Sequence, residues 1–140
     1  MPGFLFDSNL WVALTFATHP FHKHAGEQIK HTSPEHPIYR TRIIELSALR
    51  LITTPTIHRA FGVPRFTNRE AIDYLQSLWE KIGCNEIHEP EGTGQLWLRL
   101  AGVNSASPKI WMDAYLAAVS IQGKLKIVTL DSDFRKYESE

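Results

Sequence analysis

Two short apolar runs, one near each end of the chain, constrain the fold more than any other feature of the sequence. The first is Gly3–Phe6, which is followed by Asp7, and the second is residues 125–130, which are followed by Asp131. Short runs of this kind are typical of strands buried in a parallel sheet. We therefore predict that each run is a strand and that an aspartate stands at its carboxyl end.

Most of the chain between these runs has apolar residues at helical spacing. Helices are predicted to begin near residues 8–9, 20, 41, 67–68, 94 and 107, and short strands are predicted at 38–40 and 85–88. Pro55 is expected to stop the helix that begins near Thr41, and residues 55–67 carry no clear pattern. Strands that alternate with helices predict an α/β sandwich around a parallel sheet.

Composition excludes several classes of protein. The 140 residues are enough for one domain, and 15 basic residues balance 15 acidic ones, which disfavours a strongly basic nucleic-acid-binding surface. Cys84 is the single cysteine, so the chain cannot form a disulfide with itself. No apolar run approaches the roughly 20 residues of a membrane span. The first residues lack the Lys or Arg of a signal peptide, and we expect a cytoplasmic protein without a membrane segment.

The positions of four acidic residues suggest a metal site. Asp7 and Asp131 follow predicted strands, and the carboxyl ends of parallel strands border the ligand-binding edge of such a sheet. Glu45 and Asp113 lie in the first turns of apolar helices, where the helix dipole favours an anion. Carboxylates buried together need a cation, and oxygen ligands suit Mg²⁺.

Each of these acids also has an ordinary structural explanation. Asp7 suits the N-cap of the first helix, and Asp113 suits a first helical turn. Asp131 and Asp133 are typical turn residues, and Glu45 suits an exposed helix position. The pattern alone leaves both interpretations open.

Two tryptophans flank the predicted acids. Trp11 follows Asp7 by four positions, and Trp111 precedes Asp113 by two. We expect both indoles to pack in the core, and stacking on an RNA base is the alternative.

Four segments of the sequence, taken together and in order, resemble a known family. They are FLFDSNLWVAL at residues 4–14, TRIIELSALRLIT at 41–53, DAYLAA at 113–118 and VTLDSDF at 128–134. They resemble the PIN-domain ribonucleases, specifically the VapC toxins of bacterial toxin–antitoxin systems. The resemblance implies one PIN-like domain over residues 1–140, a three-layer α/β sandwich with a central, mostly parallel sheet of four to five strands.

The resemblance also implies roles for individual residues. Asp7, Glu45, Asp113 and Asp131 match the acidic quartet of the family. Asp7 and Asp113 would be the principal ligands of Mg²⁺ or Mn²⁺, and the other two would complete the pocket directly or through water.

Three further residues are candidate substrate contacts. Asn9 matches a small polar residue that lines the family's pocket, and Asp133 is an alternative to Asp131 as the fourth acid. Arg42 lies one turn before Glu45 and is a candidate to position a backbone phosphate, although a solvated charge or a surface ion pair is the favoured explanation.

The implied activity is endonucleolytic hydrolysis of RNA (tRNA, rRNA or mRNA) by a metal-activated water. The implied partners are a small VapB-like antitoxin and a second copy of the chain in a homodimer. The alternative is a PIN-like domain that binds a partner without catalysis. An intact set of four acids favours the nuclease, since a scaffold has no use for clustered carboxylates.

Overall fold

A four-stranded parallel sheet runs through the computed structural model, which describes residues 3–137 and gives the backbone alone at Asp133. The strands are β1 (Gly3–Phe6), β2 (Ile38–Arg40), β3 (Asn85–Glu86) and β4 (Leu125–Val128). Their order across the sheet is β3-β2-β1-β4. The predicted α/β architecture with a parallel sheet of four to five strands is confirmed.

The central position of β1 determines where a ligand can bind. Phe4 is in register with Ile38 of β2 on one side and with Lys126 of β4 on the other. The chain builds the sheet outward from β1 through β2 to β3 and then returns to the opposite side of β1. In open α/β sheets, ligands bind at the carboxyl ends of the strands where the strand order reverses in this way. Here that point lies between the ends of β1 and β4.

Helices connect the strands and pack around the sheet. They are α1 (Ser8–Thr15), α2 (His22–Ile29), α3 (Arg42–Ile52), α4 (Pro55–Ala60), α5 (Asn68–Ile82), α6 (Thr93–Ala101) and α7 (Ile110–Gly123), followed by a 3-10 helix at Ser132–Tyr137. Their ends follow local chemistry. Thr41 accepts a hydrogen bond from the Ile44 N–H at the start of α3, and Thr67 and Glu70 form a reciprocal capping box at the start of α5.

Several element boundaries differ from the sequence prediction. Pro55 not only stops α3 but also begins α4, because proline needs no partner for its nitrogen in the first helical turn. Helix α1 begins at Ser8, and its N-cap is Asp7, the residue whose ordinary structural explanation was this cap. Strand β3 ends at Glu86, and β4 ends at Val128 rather than at residue 130. Helix α2 starts at His22 and α7 at Ile110, each slightly later than predicted.

The core forms around Trp11, which is fully buried as predicted. Its indole N–H donates to the Phe6 carbonyl (3.2 Å), and its ring meets the edge of Trp79 at 6.0 Å between centroids. Trp111 does not follow the prediction, since 54% of it is exposed on the first turn of α7. Helix α7 is apolar on nearly all sides, so periodicity could not identify its outer face. Among residues 3–137, no helix combines the length and apolarity that crossing a membrane would require.

Candidate active site

The hydroxyl of Thr129 connects the carboxyl ends of β1 and β4. It donates to Asp7 Oδ2 (2.8 Å) and accepts from the Asn9 side-chain amide (3.1 Å) and from the Asp131 N–H (3.1 Å). The Asn9 carbonyl oxygen in turn accepts from the Leu130 N–H (3.2 Å). These bonds explain why β4 ends at Val128, since the next residues turn toward Asn9 instead of extending the sheet. Sequence reasoning did not single out Thr129, although it lies in the segment that ends with Asp131.

Asp7 is a buried carboxylate with defined hydrogen-bond donors. Its Oδ1 accepts from the Ser8 N–H (2.7 Å), which makes it the N-cap of α1. Burial raises the pKa of Asp7 above its ordinary value, and the charge of Asp131 raises it further, while the hydrogen bonds from Thr129 and Ser8 act in the opposite direction. The two aspartates therefore lie close enough to repel each other. The structure thus places Asp7 and Asp131 at one edge of the sheet, as the sequence predicted.

Asp113 lies in the first turn of α7 and is half-buried. Burial and the charge of Asp113 together raise the pKa of Tyr137, so this carboxylate lies near the end of the 3-10 helix that follows Asp131. The first turns of α3 and α7 are also neighbours, because Ile43 and Met112 line the same cavity. Helix α7 therefore carries Asp113 into the region bordered by the segment after β4 and by the start of α3.

Glu45 has different surroundings from Asp7, because two guanidinium groups neutralise it. One carboxylate oxygen accepts from Arg40 Nε (2.7 Å) and the other from Arg42 Nη1 (2.5 Å). Arg42 also donates to Glu86 (2.9 Å). Both oxygens of Glu45 are therefore occupied by cations of the chain itself.

Arg40, which sequence reasoning missed, is the less exposed of the two arginines that bind Glu45. Its guanidinium lies 4.3 Å from the centre of the Trp79 ring and donates to the Cys84 carbonyl (2.6 Å). Burial alone would lower the pKa of Arg40, but its hydrogen bonds to Glu45 and Cys84 raise it above the ordinary value. The sequence does show that a basic residue ends β2. It does not show that Arg40 contacts Trp79 and Cys84, which lie in later elements of the chain.

The structure places two of the three predicted substrate contacts, Asn9 and Arg42, and does not describe the side chain of the third, Asp133. Asn9 reaches Thr129 at the candidate site. The side chain of Arg42 is 69% exposed and lies beside Glu45. The side chain of Asp133 lies outside what the structure describes, so the choice between Asp131 and Asp133 stays a prediction.

The acids at the ends of β1 and β4 suit a divalent cation that needs few protein ligands. Within the described residues, no group of three or more His, Cys, Asp or Glu side chains forms a ready-made metal cage. Mg²⁺ is usually held by only one or two carboxylates together with water and substrate phosphates. A desolvated Asp7 that faces the charge of Asp131 fits this arrangement, since a cation would relieve both the burial and the repulsion. Glu45 fits it less well, because its oxygens already bind arginines.

Comparison with known proteins agrees with the fold. A family model for the PIN domain matches residues 4–140. The crystal structure of VapC20 from Mycobacterium tuberculosis, a toxin that cleaves the sarcin–ricin loop, superposes with a TM-score of 0.68 at 17% identity, over 97% of this chain and 95% of that chain. PAE2754 from Pyrobaculum aerophilum superposes with a TM-score of 0.59 at 18% identity, over 96% of this chain and 84% of that chain. The chain belongs to the PIN-domain family.

The sequence comparison is more specific. Ribonuclease VapC41 of Mycobacterium tuberculosis is 36% identical over 134 residues, which cover 95% of this chain and 92% of that protein, in both strains CDC 1551 and H37Rv. Within the PIN-domain family, the chain is a member of the VapC ribonucleases. The resemblance seen in the four sequence segments is thereby confirmed.

Asp7→Asn tests whether a buried charge destabilises the metal-free site. An acid whose pKa is raised by folding contributes stability below its unfolded pKa, which is near 3.8, and that contribution is lost as the pH rises through the folded pKa. In EDTA, we expect the Tm of Asp7→Asn relative to the wild type to increase between pH 4 and pH 7. Asp73→Asn, an exposed acid on α5, is the control and should show little such trend. A pH-independent difference between Asp7→Asn and the wild type would contradict this prediction.

A double-mutant cycle tests the Arg40–Glu45 pair. The two side chains are 17% and 9% exposed, and removing one partner of a fully buried pair costs about 3 kcal/mol or more, so a cost of about 2 kcal/mol is expected for this partly buried pair. We expect Arg40→Met and Glu45→Gln each to lower the free energy of unfolding by roughly that amount, and the double variant to lose less than the sum. The exposed pair Arg69–Asp73 is the control, where Arg69→Met should cost less than about 1 kcal/mol. Additive losses at Arg40 and Glu45 would show that the pair is not energetically coupled.

Proposed function

We propose that the chain is a Mg²⁺- or Mn²⁺-dependent endoribonuclease toxin whose metal site is formed at the carboxyl ends of β1 and β4 and the first turn of α7. The observation that carries the proposal is the buried carboxylate of Asp7, which is oriented by Thr129 and Ser8 and repelled by Asp131. In the proposal, Asp7 and Asp113 hold the cation and Asp131 completes the pocket. The VapC ribonuclease family to which the chain belongs supports RNA as the substrate.

The catalytic chemistry follows from this arrangement of acids. A divalent cation bound there would polarise the scissile phosphate and lower the pKa of the attacking water. Thr129 and Asn9 contribute indirectly, because their hydrogen bonds fix the carboxylate of Asp7 before substrate binds. As water adds to phosphorus, the bond to the leaving oxygen breaks; the water releases a proton to solvent, and the leaving oxygen takes one up from solvent.

Glu45 has a positioning role in this proposal. Its carboxylate holds Arg42 at the edge of the site, where an exposed guanidinium can donate to a backbone phosphate. Arg40 fixes Glu45 from the buried side, which leaves Arg42 as the solvent-facing member of the group. Direct or water-mediated contact between Glu45 and the cation would require these ion pairs to rearrange.

Two partners belong to the proposal. A small VapB-like antitoxin would neutralise the enzyme by placing a basic residue against Asp7 and Asp131, whose mutual repulsion such a residue would relieve.

A second copy of the chain would cover the outer face of α3 and α5, where the 58% exposed Leu46 lines a shallow cavity with Leu49 and Ile72. Because its proposed substrate and antitoxin are cytoplasmic, we place the protein in the cytoplasm.

A cleavage assay tests the proposed activity. Purified protein would be incubated with labelled tRNA, rRNA fragments and single-stranded DNA in Mg²⁺, Mn²⁺ or EDTA. We expect metal-dependent cutting of RNA, and a loss of about 10³-fold in rate for Asp7→Asn and for Asp113→Asn, since charge stabilisation of several kcal/mol is removed. Asp73→Asn should cut like the wild type.

A second readout separates metal binding from cleavage. Mn²⁺ should raise the Tm of the wild type and of Asp73→Asn but have a much smaller effect on Asp7→Asn. Equal stabilisation of all three proteins would place the cation elsewhere. Cutting that persists in EDTA would contradict a metal-dependent mechanism.

The proposed homodimer is tested by light scattering during gel filtration. The chain has a mass of 16.0 kDa, and we expect the wild type to elute at twice this value. Leu46→Asp should shift the protein to the monomer mass, because it places a charge in the proposed apolar interface. Leu98→Asp, at a similarly exposed leucine on α6, is the matched control and should remain dimeric. A wild type that elutes as a monomer would refute the dimer.

A further inference from the structure

An apolar cavity lined by aromatic side chains lies beside the proposed active site. Its lining residues, which we call the aromatic patch, are Ile43, Trp97, Trp111, Met112 and Tyr115, and its volume is about 430 Å³. More than half of Trp111 is exposed to solvent. A large exposed aromatic surface costs free energy in water and is typical of a binding site.

The rings of the aromatic patch are held in fixed positions. Trp97 donates its indole N–H to the Trp111 carbonyl (2.9 Å), and Tyr115 donates its hydroxyl to Glu89 (2.8 Å). Trp97 meets Tyr115 edge to face, with 5.9 Å between centroids and 89° between planes, and lies at 66° to Trp111. Because these polar groups of Trp97 and Tyr115 are engaged within the protein, the two rings offer a ligand mainly apolar surface.

Residues of the aromatic patch are neighbours in the chain of a proposed metal ligand and of two basic residues. Met112 directly precedes Asp113, and Ile43 lies on the first turn of α3, next to Arg42. Lys109, immediately before α7, is exposed like Arg42. The aromatic patch is thus adjacent in the chain to a proposed metal ligand and to two exposed basic residues, of which Arg42 is already paired with Glu45 and Glu86.

This combination matches the chemistry of single-stranded RNA. Unpaired bases stack on aromatic rings while neighbouring cations bind the backbone phosphates. An apolar protein segment would match the rings but would offer no phosphate to the exposed Lys109, which lies two residues before Trp111. We propose that the aromatic patch binds one unpaired nucleobase of the RNA substrate, stacked on Trp111, and so positions the adjacent phosphate at Asp113. This inference rests on the proposed function, because it takes RNA as the substrate.

RNA binding without cleavage tests the stacking. The probe is a fluorescein-labelled single-stranded RNA of 12 nucleotides with mixed sequence, titrated in EDTA. Loss of one base–aromatic stack weakens binding by about 5- to 100-fold. We expect a loss in this range for Trp111→Ala and a smaller loss for Trp111→Phe, which keeps an aromatic ring. Leu98→Ala is the control, since Leu98 is 57% exposed on α6 and does not line the aromatic patch.

Two further measurements identify the base as the ligand. Stacking should quench tryptophan fluorescence, and the quenching should decrease in Trp111→Phe to what Trp97 of the same patch contributes, because Trp11 and Trp79 are buried. A 12-nucleotide backbone of abasic ribose should bind the wild type as weakly as the intact RNA binds Trp111→Ala.

The outcomes separate this inference from the proposed function. If Trp111→Ala binds RNA like the wild type, or if the wild type does not bind the 12-mer, the inference is overturned. If Trp111→Ala instead changes the mass of the protein in solution and leaves RNA binding intact, the aromatic patch is a protein-docking surface and the inference is again wrong. If the stacking results hold but no metal-dependent cleavage occurs, the proposed catalytic activity fails while the base-binding site stands.

Discussion

The hydrogen bonds between the carboxyl ends of β1 and β4 hold the residues of the proposed site together. The Asp7 N–H continues the pairing of the two strands by donating to the Val128 carbonyl (3.0 Å), and the Thr129 hydroxyl then joins both chain segments through their side chains. A hydroxyl has one donor and two acceptor sites, and Thr129 uses all three. Residues from the two ends of the chain are thereby fixed against each other at the point where the strand order reverses.

Asp7 and Glu45 differ in how the rest of the protein compensates their charges. Both side chains are buried, but Glu45 is neutralised by two arginines, whereas Asp7 receives only neutral hydrogen-bond donors and faces another carboxylate. The protein therefore bears an electrostatic cost at Asp7 that it avoids at Glu45. Costs of this kind are concentrated at functional sites, where a ligand compensates for them. This contrast is the physical reason for assigning the cation to the first acid and a positioning role to the second.

Local sequence signals predicted the features that depend on neighbouring residues. The apolar runs predicted β1 and β4, and Thr41 and Thr67 predicted where α3 and α5 begin. The acids that follow the two strands predicted that Asp7 and Asp131 lie close together. Features that depend on distant contacts were missed. Arg40 is important because of Trp79 and Cys84, which lie about 40 residues away, and no local pattern connects them. Trp111 was expected in the core because an aromatic residue on an apolar helix does not reveal which side of the helix is covered.

Anomalous diffraction from crystals soaked in Mn²⁺ tests the central claim most directly. The claim is that the acids at the ends of β1 and β4 and the start of α7 hold the cation, while Glu45 stays with its arginines. The predicted result is an anomalous peak within about 2.1 Å of a carboxylate oxygen of Asp7 and of Asp113, with the Arg40–Glu45 pair intact. A peak on Glu45 with that pair broken, or a peak away from Asp7, would contradict the claim.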